Sequence, residues 1–136
     1  MKAYTDIEQS KKLVEILSTD SADHHYVRKT CDFMGNPVDG KWSEPKYGNP
    51  NSKYAHYMVQ NFTNYETLPC WSLTALLDLM PERIKIGEEL SFCLTLKKSS
   101  TGFGFGYNLN GSTFVKNNPI DAAFEMVCWL KENGKI

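Results

Sequence analysis

Thr101-Gly102-Phe103-Gly104-Phe105-Gly106-Tyr107-Asn108, TGFGFGYN, decides how the chain is read. It is either a glycine-rich loop around a phosphate or a β-strand with glycine at alternate positions. The dinucleotide fingerprint G-x-G-x-x-G fails in both frames. Begun at Gly102, it needs glycine where Tyr107 stands; begun at Gly104, it needs glycine where Leu109 stands. No Lys-Ser/Thr pair follows, as a P-loop requires. The next signal is Asn110-Gly111, which favours a type I′ hairpin turn because both central residues need positive φ. The stretch therefore reads as a strand.

Two turn assignments then set the register. Asn110-Gly111 as a two-residue loop places Leu109 opposite Ser112, Tyr107 opposite Phe114 and Phe105 opposite Lys116. Ser99 to Gly102 as a four-residue loop places Leu96 opposite Phe105, Leu94 opposite Tyr107 and Phe92 opposite Leu109. Both assignments put the large apolar side chains on one face of a three-stranded meander over about 90–116. A slip by one residue would reverse them. Gly102, Gly104 and Gly106 fall on the other face with Cys93, Thr95 and Asn108, and this small, polar face is expected to meet solvent.

Three helices are predicted around this sheet. The last spans 119–132: Asn118 caps it, Pro119 suits its first position and Gly134 follows its last turn. Its acidic residues Asp121, Glu125 and Glu132 form a narrow stripe, while Ala122, Ala123, Phe124, Met126, Val127, Trp129 and Leu130 cover most of the rest. So wide an apolar arc implies burial on more than one side. Cys128 lies in the acidic stripe and is expected to be partly exposed. The first helix spans 5–18, with Thr5-Asp6-Ile7-Glu8 read as a capping box and Ile7, Leu13, Val14 and Leu17 on its apolar side. The middle helix spans 71–80, within a helical reading of Pro69 to Pro81. Residues 24–62 hold strand-like stretches at 25–33 and 54–62. Between them lie turn signals at Gly35-Asn36-Pro37, Asp39-Gly40, Glu44-Pro45 and Gly48-Asn49-Pro50.

The 136 residues fit one domain, expected to span 1–136, and are enough for a sizeable core without disulfides or metals. A net charge of −1 gives no global pull toward nucleic acid or an anionic membrane. The opening MKAYTDIEQSKKL lacks the apolar centre of a secretion signal, and no apolar run reaches transmembrane length, so a cytoplasmic location is expected. Cys31, Cys70, Cys93 and Cys128 include no C-x-x-C pair and read as free thiols. On a strand, His24 and His25 point to opposite faces, and His25 and Cys31 lie about 20 Å apart, so they do not chelate one ion. No metal, cofactor or catalytic residue is expected. A Cys–His enzyme using Cys31 or Cys70 stands as an alternative, since such partners meet in space and not in sequence.

The middle segment suggests a contact surface. Arg28, Lys29, Lys41, Lys46 and Lys53 interleave with Tyr26, Trp42, Tyr47, Tyr54 and Tyr57. This mixture suits single-stranded nucleic acid, whose bases stack and whose phosphates pair. Asp32, Asp39 and Glu44 dilute the charge, so the segment reads first as a run of turns whose aromatics pack on the sheet; an exposed Trp42 or Tyr47 would instead mark a protein-binding loop. The candidate interaction residues are Trp42, Lys46, Tyr47, Lys53 and Tyr54.

PCWSLTALL at 69–77 and NPIDAAFEMVCWL at 118–130, with the opening MKAYTDIEQSKKL, resemble a family of short uncharacterised gut-bacterial proteins often described as phage-like or mobile-element proteins. The resemblance implies an intracellular accessory role and brings no established activity, so no catalytic residue follows from it. The reading is a single α+β domain. Its antiparallel sheet contains the C-terminal meander, extended by strands from 25–33 and 54–62, with three helices packed mainly on one face. Its expected role is a non-catalytic binding or accessory protein, with a protein partner or a second copy of itself. A weak single-strand nucleic-acid binder using 26–57 is the other alternative.

Overall fold

The computed structural model describes residues 2–49, 64–107 and 114–136. The strand expected at 54–62 and the Asn110-Gly111 turn lie outside them. Among the described residues the chain is α+β, with three α-helices and eight strands in antiparallel pairs. It forms two compact units, 6–72 and 73–136, the second including the residues up to Thr5.

In the 6–72 unit, helix α1 spans Ile7–Ile16. Its capping box is one residue later than Thr5 and Glu8. Asp6 accepts from the Gln9 amide at 2.9 Å, and the Gln9 side chain accepts from the Asp6 amide at 3.2 Å. A carboxylate at the cap also meets the positive end of the helix dipole, which a Thr5 hydroxyl would not. Strand β1, His24–Lys29, lies between β2, Lys46–Tyr47, and β3, Tyr65–Cys70. Tyr26 opposes Leu68 and His24 opposes Cys70. Tyr26, Leu68 and Cys70 are buried together, with Ile7 and Val14 of α1 and Trp42 packed against them.

Pro69 and Cys70 therefore belong to a strand and not to the middle helix. Among the described residues β3 is an edge strand, where proline is tolerated because no second neighbour needs its missing donor. The other edge of β1 is occupied by the chain from Pro37 to Gly48. Val38 N–H donates to Thr30 C=O at 2.9 Å, Ser43 N–H to Val27 C=O at 2.8 Å, and Gly48 N–H to Asp23 C=O at 2.9 Å. The Val27 N–H donates to Ser43 Oγ at 3.1 Å. A Cβ on Gly40 would sit 2.1 Å from the Lys29 carbonyl oxygen, so only glycine passes there.

In the 73–136 unit, helix α2 spans Leu73–Leu79, strand β4 Arg83–Ile86, β5 Leu90–Cys93, β6 Thr95–Ser99, β7 Gly102–Gly106 and β8 Phe114–Lys116; helix α3 spans Pro119–Glu132. β6, β7 and β8 form the meander. Leu96 opposes Phe105, as the turn chemistry predicts; Ser99 opposes Gly102 as a strand pair, so the loop between them is Ser100-Thr101 and not the four residues expected. The β7–β8 register differs from expectation by two residues: Phe105 opposes Phe114, and Lys116 opposes Phe103. A shift of two keeps every side chain on its face, so the apolar pattern does not distinguish the registers. The observed one pairs aromatic with aromatic.

The run 91–96 is not one strand. β5 turns back onto β4, so Phe92 opposes Ile84, and the Leu94 amide donates to Glu82 C=O at 2.8 Å; the expected partner Leu109 lies outside the described residues. Arg83 to Ile86 alternates polar and apolar residues before the turn at Gly87 (φ 70°), which makes this local hairpin available. The glycine face is not open to solvent either: Gly104 and Gly106 are buried on the central strand. Gly102, at φ 136°, lies where a Cβ would fall 2.2 Å from Lys116 C=O.

Helix α3 packs on α2, β7 and β8, in keeping with its wide apolar arc. Asn118 caps it, accepting from the Ile120 amide at 2.8 Å, and Gly134 at φ 65° ends it. Lys135 N–H reaches Leu130 C=O at 2.8 Å, and Gly134 N–H reaches Lys131 C=O at 3.2 Å, the two bonds of a Schellman cap. Cys128 is buried, contrary to expectation. The acidic stripe around it is bridged by basic side chains: Lys2 Nζ lies 2.6 Å from Asp121, and Lys116 Nζ lies 3.9 Å from Glu125.

Candidate interaction surface

The structure separates the residues that the sequence grouped. Trp42 is half-buried against Tyr26, Leu68 and Cys70. The Arg28 guanidinium lies 4.7 Å over its ring, and Arg28 Nε donates to Glu66 Oε2 at 2.6 Å. Trp42 thus fastens the Pro37–Gly48 segment inward, and Arg28 is taken up by Glu66 and the indole. Tyr47 is 87 % exposed, with the His24 ring edge-on at 5.3 Å. It opposes His24, so it shares that residue's face of the sheet, while Lys46 opposes His25 on the other. Lys53 and Tyr54 lie outside the described residues.

The sequence marks a turn at Gly35-Asn36-Pro37 but extends the preceding strand to Phe33, whereas β1 ends at Lys29 and Phe33 and Met34 lie in the turn 32–36. Phe33 is 89 % exposed and Met34 71 % exposed, side by side at the tip where β1 hands over to the edge segment. The turn is held from within. The Asp32 carboxylate accepts from the amides of Met34 and Asn36, both at 2.9 Å, and from Asn36 Nδ2 at 3.3 Å. Asp32 N–H donates to Asn36 C=O at 2.9 Å, and Gly35 N–H to Asp32 C=O at 3.0 Å. Gly35 supplies the positive φ of 81°. The Asn36 amide, followed by the other donors, holds the Asp32 carboxyl below its ordinary range.

The base of the turn is clamped from the β3 side. Thr30 N–H donates to Asn64 C=O at 2.7 Å, the Cys31 thiol to Asn64 Oδ1 at 3.0 Å, and Asn64 Nδ2 to Asp32 C=O at 3.2 Å. The exposed charges of the adjoining chain, Lys29, Asp39 and Lys41, leave a net +1. The signal was present: Asp32 with Gly35-Asn36-Pro37 is turn chemistry, so Phe33 and Met34 occupy turn positions that face outward.

The polar cluster at the start of β1 has a different character. Asp23 accepts from the Ser72 amide at 2.9 Å and from the Ser72 hydroxyl, and His24 Nδ1 lies 3.1 Å from its other contact oxygen, Oδ1. Burial alone would raise the Asp23 pKa, but the Ser72 hydroxyl and amide and His24 outweigh it and hold it below 3.8. The carboxylate sits between serine and histidine. In a nucleophilic triad the histidine lies between, as the base on the hydroxyl. Here Asp23 ties Ser72 to the start of β1.

Burial pushes the Cys70 thiol up to about 12, with the nearby Asp23 charge adding to it, so it is protonated at neutral pH. Cys93 is exposed. Among the described residues no three His, Cys, Asp or Glu side chains gather as a metal set, and no helix is long and apolar enough to cross a membrane. Comparison with protein-family models, curated proteins and solved structures finds no match.

Proposed function

We propose that the protein is a non-catalytic binding or accessory protein that acts through protein contacts, with the Phe33–Met34 turn as its contact point. The observation that carries this reading is two large apolar side chains exposed together on a turn that its own hydrogen bonds hold rigid. Burying such a side chain in a partner is worth about 1.5–3 kcal/mol. A turn that is already ordered loses little further entropy on binding. The small net charge around the tip, +1, favours an apolar protein pocket over an anionic surface.

The test compares partner capture by the wild type and by Phe33→Ser/Met34→Ser, with unchanged thermal stability as the control for folding. A discrete partner retained by the wild type and lost by the variant is expected. The same partner retained equally by both would remove the turn from the interface. The nucleic-acid reading predicts salt-sensitive oligonucleotide binding that Trp42→Ala/Lys46→Ala abolishes. The involvement of Arg28 and Trp42 in internal contacts speaks against it. The thiol-enzyme reading predicts one cysteine that alkylates fast near neutral pH, which the protonated Cys70 does not favour. The mobile-element setting rests on the sequence resemblance alone, and gene neighbourhood tests it.

A further inference from the structure

Among the described residues β6 has a strand on one side only, because the sheet order is β6-β7-β8. Its pairing with β7 runs without a bulge over five residue pairs, from Thr95 opposite Gly106 to Ser99 opposite Gly102. In an antiparallel ladder alternate residues bond to the one neighbour, and the remaining N–H and C=O groups point away from it. Leu96 is 56 % exposed, and Lys97, Lys98 and Ser99 are exposed too. Such an edge is a template for another strand.

We propose that β6 is a docking strand for an extended acidic segment of a partner protein, which adds to the sheet beside it. Charge selects the occupant. Lys97 and Lys98 are neighbours on a strand, so their ammonium groups serve opposite faces. A strand laid alongside is matched when it carries two consecutive acidic residues, one for each face. Leu96 lies on the Lys98 face, opposite Phe105, and asks for an apolar residue next to that acidic pair. Lys98 also lies 5.7 Å from the Phe103 ring centroid, which holds its charge over the sheet. A second copy of β6 is a poor occupant, because any pairing that overlaps the two strands brings lysine close to lysine. This surface uses no residue of the Phe33–Met34 turn and stands whether or not that turn binds.

The probe is the capped peptide Thr-Val-Glu-Glu-Val-Thr, which presents its acidic pair next to valine in either strand direction. Titrated into the full chain and followed by amide NMR, it should shift and protect the amides of 95–99. Lys97→Glu/Lys98→Glu should weaken it at least tenfold. That variant should gain binding to Thr-Val-Lys-Lys-Val-Thr, which shows that it remains folded at the strand. A peptide N-methylated along one edge should lose binding. Equal binding of the N-methylated peptide, shifts centred outside 95–99, or no shifts at millimolar peptide would each overturn the proposal. So would a wild-type dimer joined through β6.

Discussion

The outer edge of β1 and the outer edge of β6 pose the same physical problem and meet it in opposite ways. The edge of β1 is covered by the chain itself. Residues 37–48 run beside it with Pro37 and Pro45, a tight passage at Gly40 and bonds at Val38, Ser43 and Gly48. That cover is irregular, and irregularity stops a further strand from adding. The edge of β6 is regular and, among the described residues, carries no further strand, and its safeguard is the pair Lys97 and Lys98. An edge closed by its own chain is finished. An edge guarded only by charge repels some strands and admits others.

The largest expected effect tests how little β6 contributes to the core. Phe105 is fully buried and its register partner Leu96 is mostly exposed. Phe105→Ala should cost about 3–5 kcal/mol through lost transfer energy and a cavity. Leu96→Ala should stay within about 0.5–1 kcal/mol, as exposed positions do. Urea unfolding measures both. Comparable losses at the two positions would mean that β6 is packed and not open.

The close-approach glycines come next: Gly40 lies on the covered edge of β1, whereas Gly102 and Gly104 lie on β7 against β8, inside the sheet that β6 borders. Gly102→Ala combines a strained φ with a Cβ against the Lys116 carbonyl and should cost about 2–4 kcal/mol. Gly40→Ala meets the Lys29 carbonyl without the positive φ and should cost about 1–3 kcal/mol as the segment lifts from β1. Gly104→Ala meets Val115 Cγ2 at 3.3 Å and the Phe114 and Lys97 carbonyl oxygens at ordinary contact, 3.7 and 4.0 Å, and should cost less than about 1 kcal/mol. A reversal of this order in denaturation midpoints would contradict the close approaches.

Alkaline pH separates the clusters behind the edges. Tyr26 and Cys70, under the covered edge, are raised to about 12 by burial first and nearby negative charge second. Tyr107 is raised to about 12 by burial, and its hydroxyl donates to Pro81 C=O at 2.6 Å. Each native pKa lies above its unfolded value, near 8.5 for cysteine and 10 for tyrosine. These groups therefore contribute stability that is complete below the unfolded values and lost as pH rises toward 12. Between about pH 8.5 and 10 only the cysteine term is active. Cys70→Ala should flatten the fall of melting temperature in that window and leave the later tyrosine phase. An unchanged slope there would show that Cys70 titrates normally.

What could be read from the sequence was local. Asn118, Pro119 and Gly134 punctuate α3 within a few residues of its ends, and the turn at Ser99–Gly102 sets Leu96 against Phe105. The α1 cap was ambiguous because Thr5 and Asp6, and Glu8 and Gln9, are each suited to the same motif. The break at Leu94 was hidden because the alternation of 91–96 runs straight through it, while the local pairing of β5 with Arg83–Ile86 leaves no mark in that pattern. Pro69 disguised β3, since proline on an edge strand resembles the start of a helix. Of the candidate surface, the basic and aromatic composition was legible and the direction of each side chain was not. Trp42 turns inward because Arg28 and Tyr26 offer it a seat, and Phe33 turns outward because Asp32 ties the backbone beneath it.

The smallest change in stability carries the sharpest comparison. Lys97→Thr/Lys98→Thr should alter the unfolding free energy by no more than about 0.5 kcal/mol, because both side chains are exposed and threonine suits a strand. Its consequence lies between molecules: with the charges gone, β6 presents Thr95, Leu96 and an uncharged regular backbone to other copies. Sedimentation velocity should show concentration-dependent self-association that the wild type lacks. Lys46→Thr on β2 is the matched control, also exposed and also on a strand at the edge of its sheet. β2 is only two residues long and continues into Gly48, so removing its charge exposes no regular ladder. If the two variants associate equally, charge and not edge geometry governs both surfaces. If only the β6 variant associates, the lysines are what keep a regular edge selective.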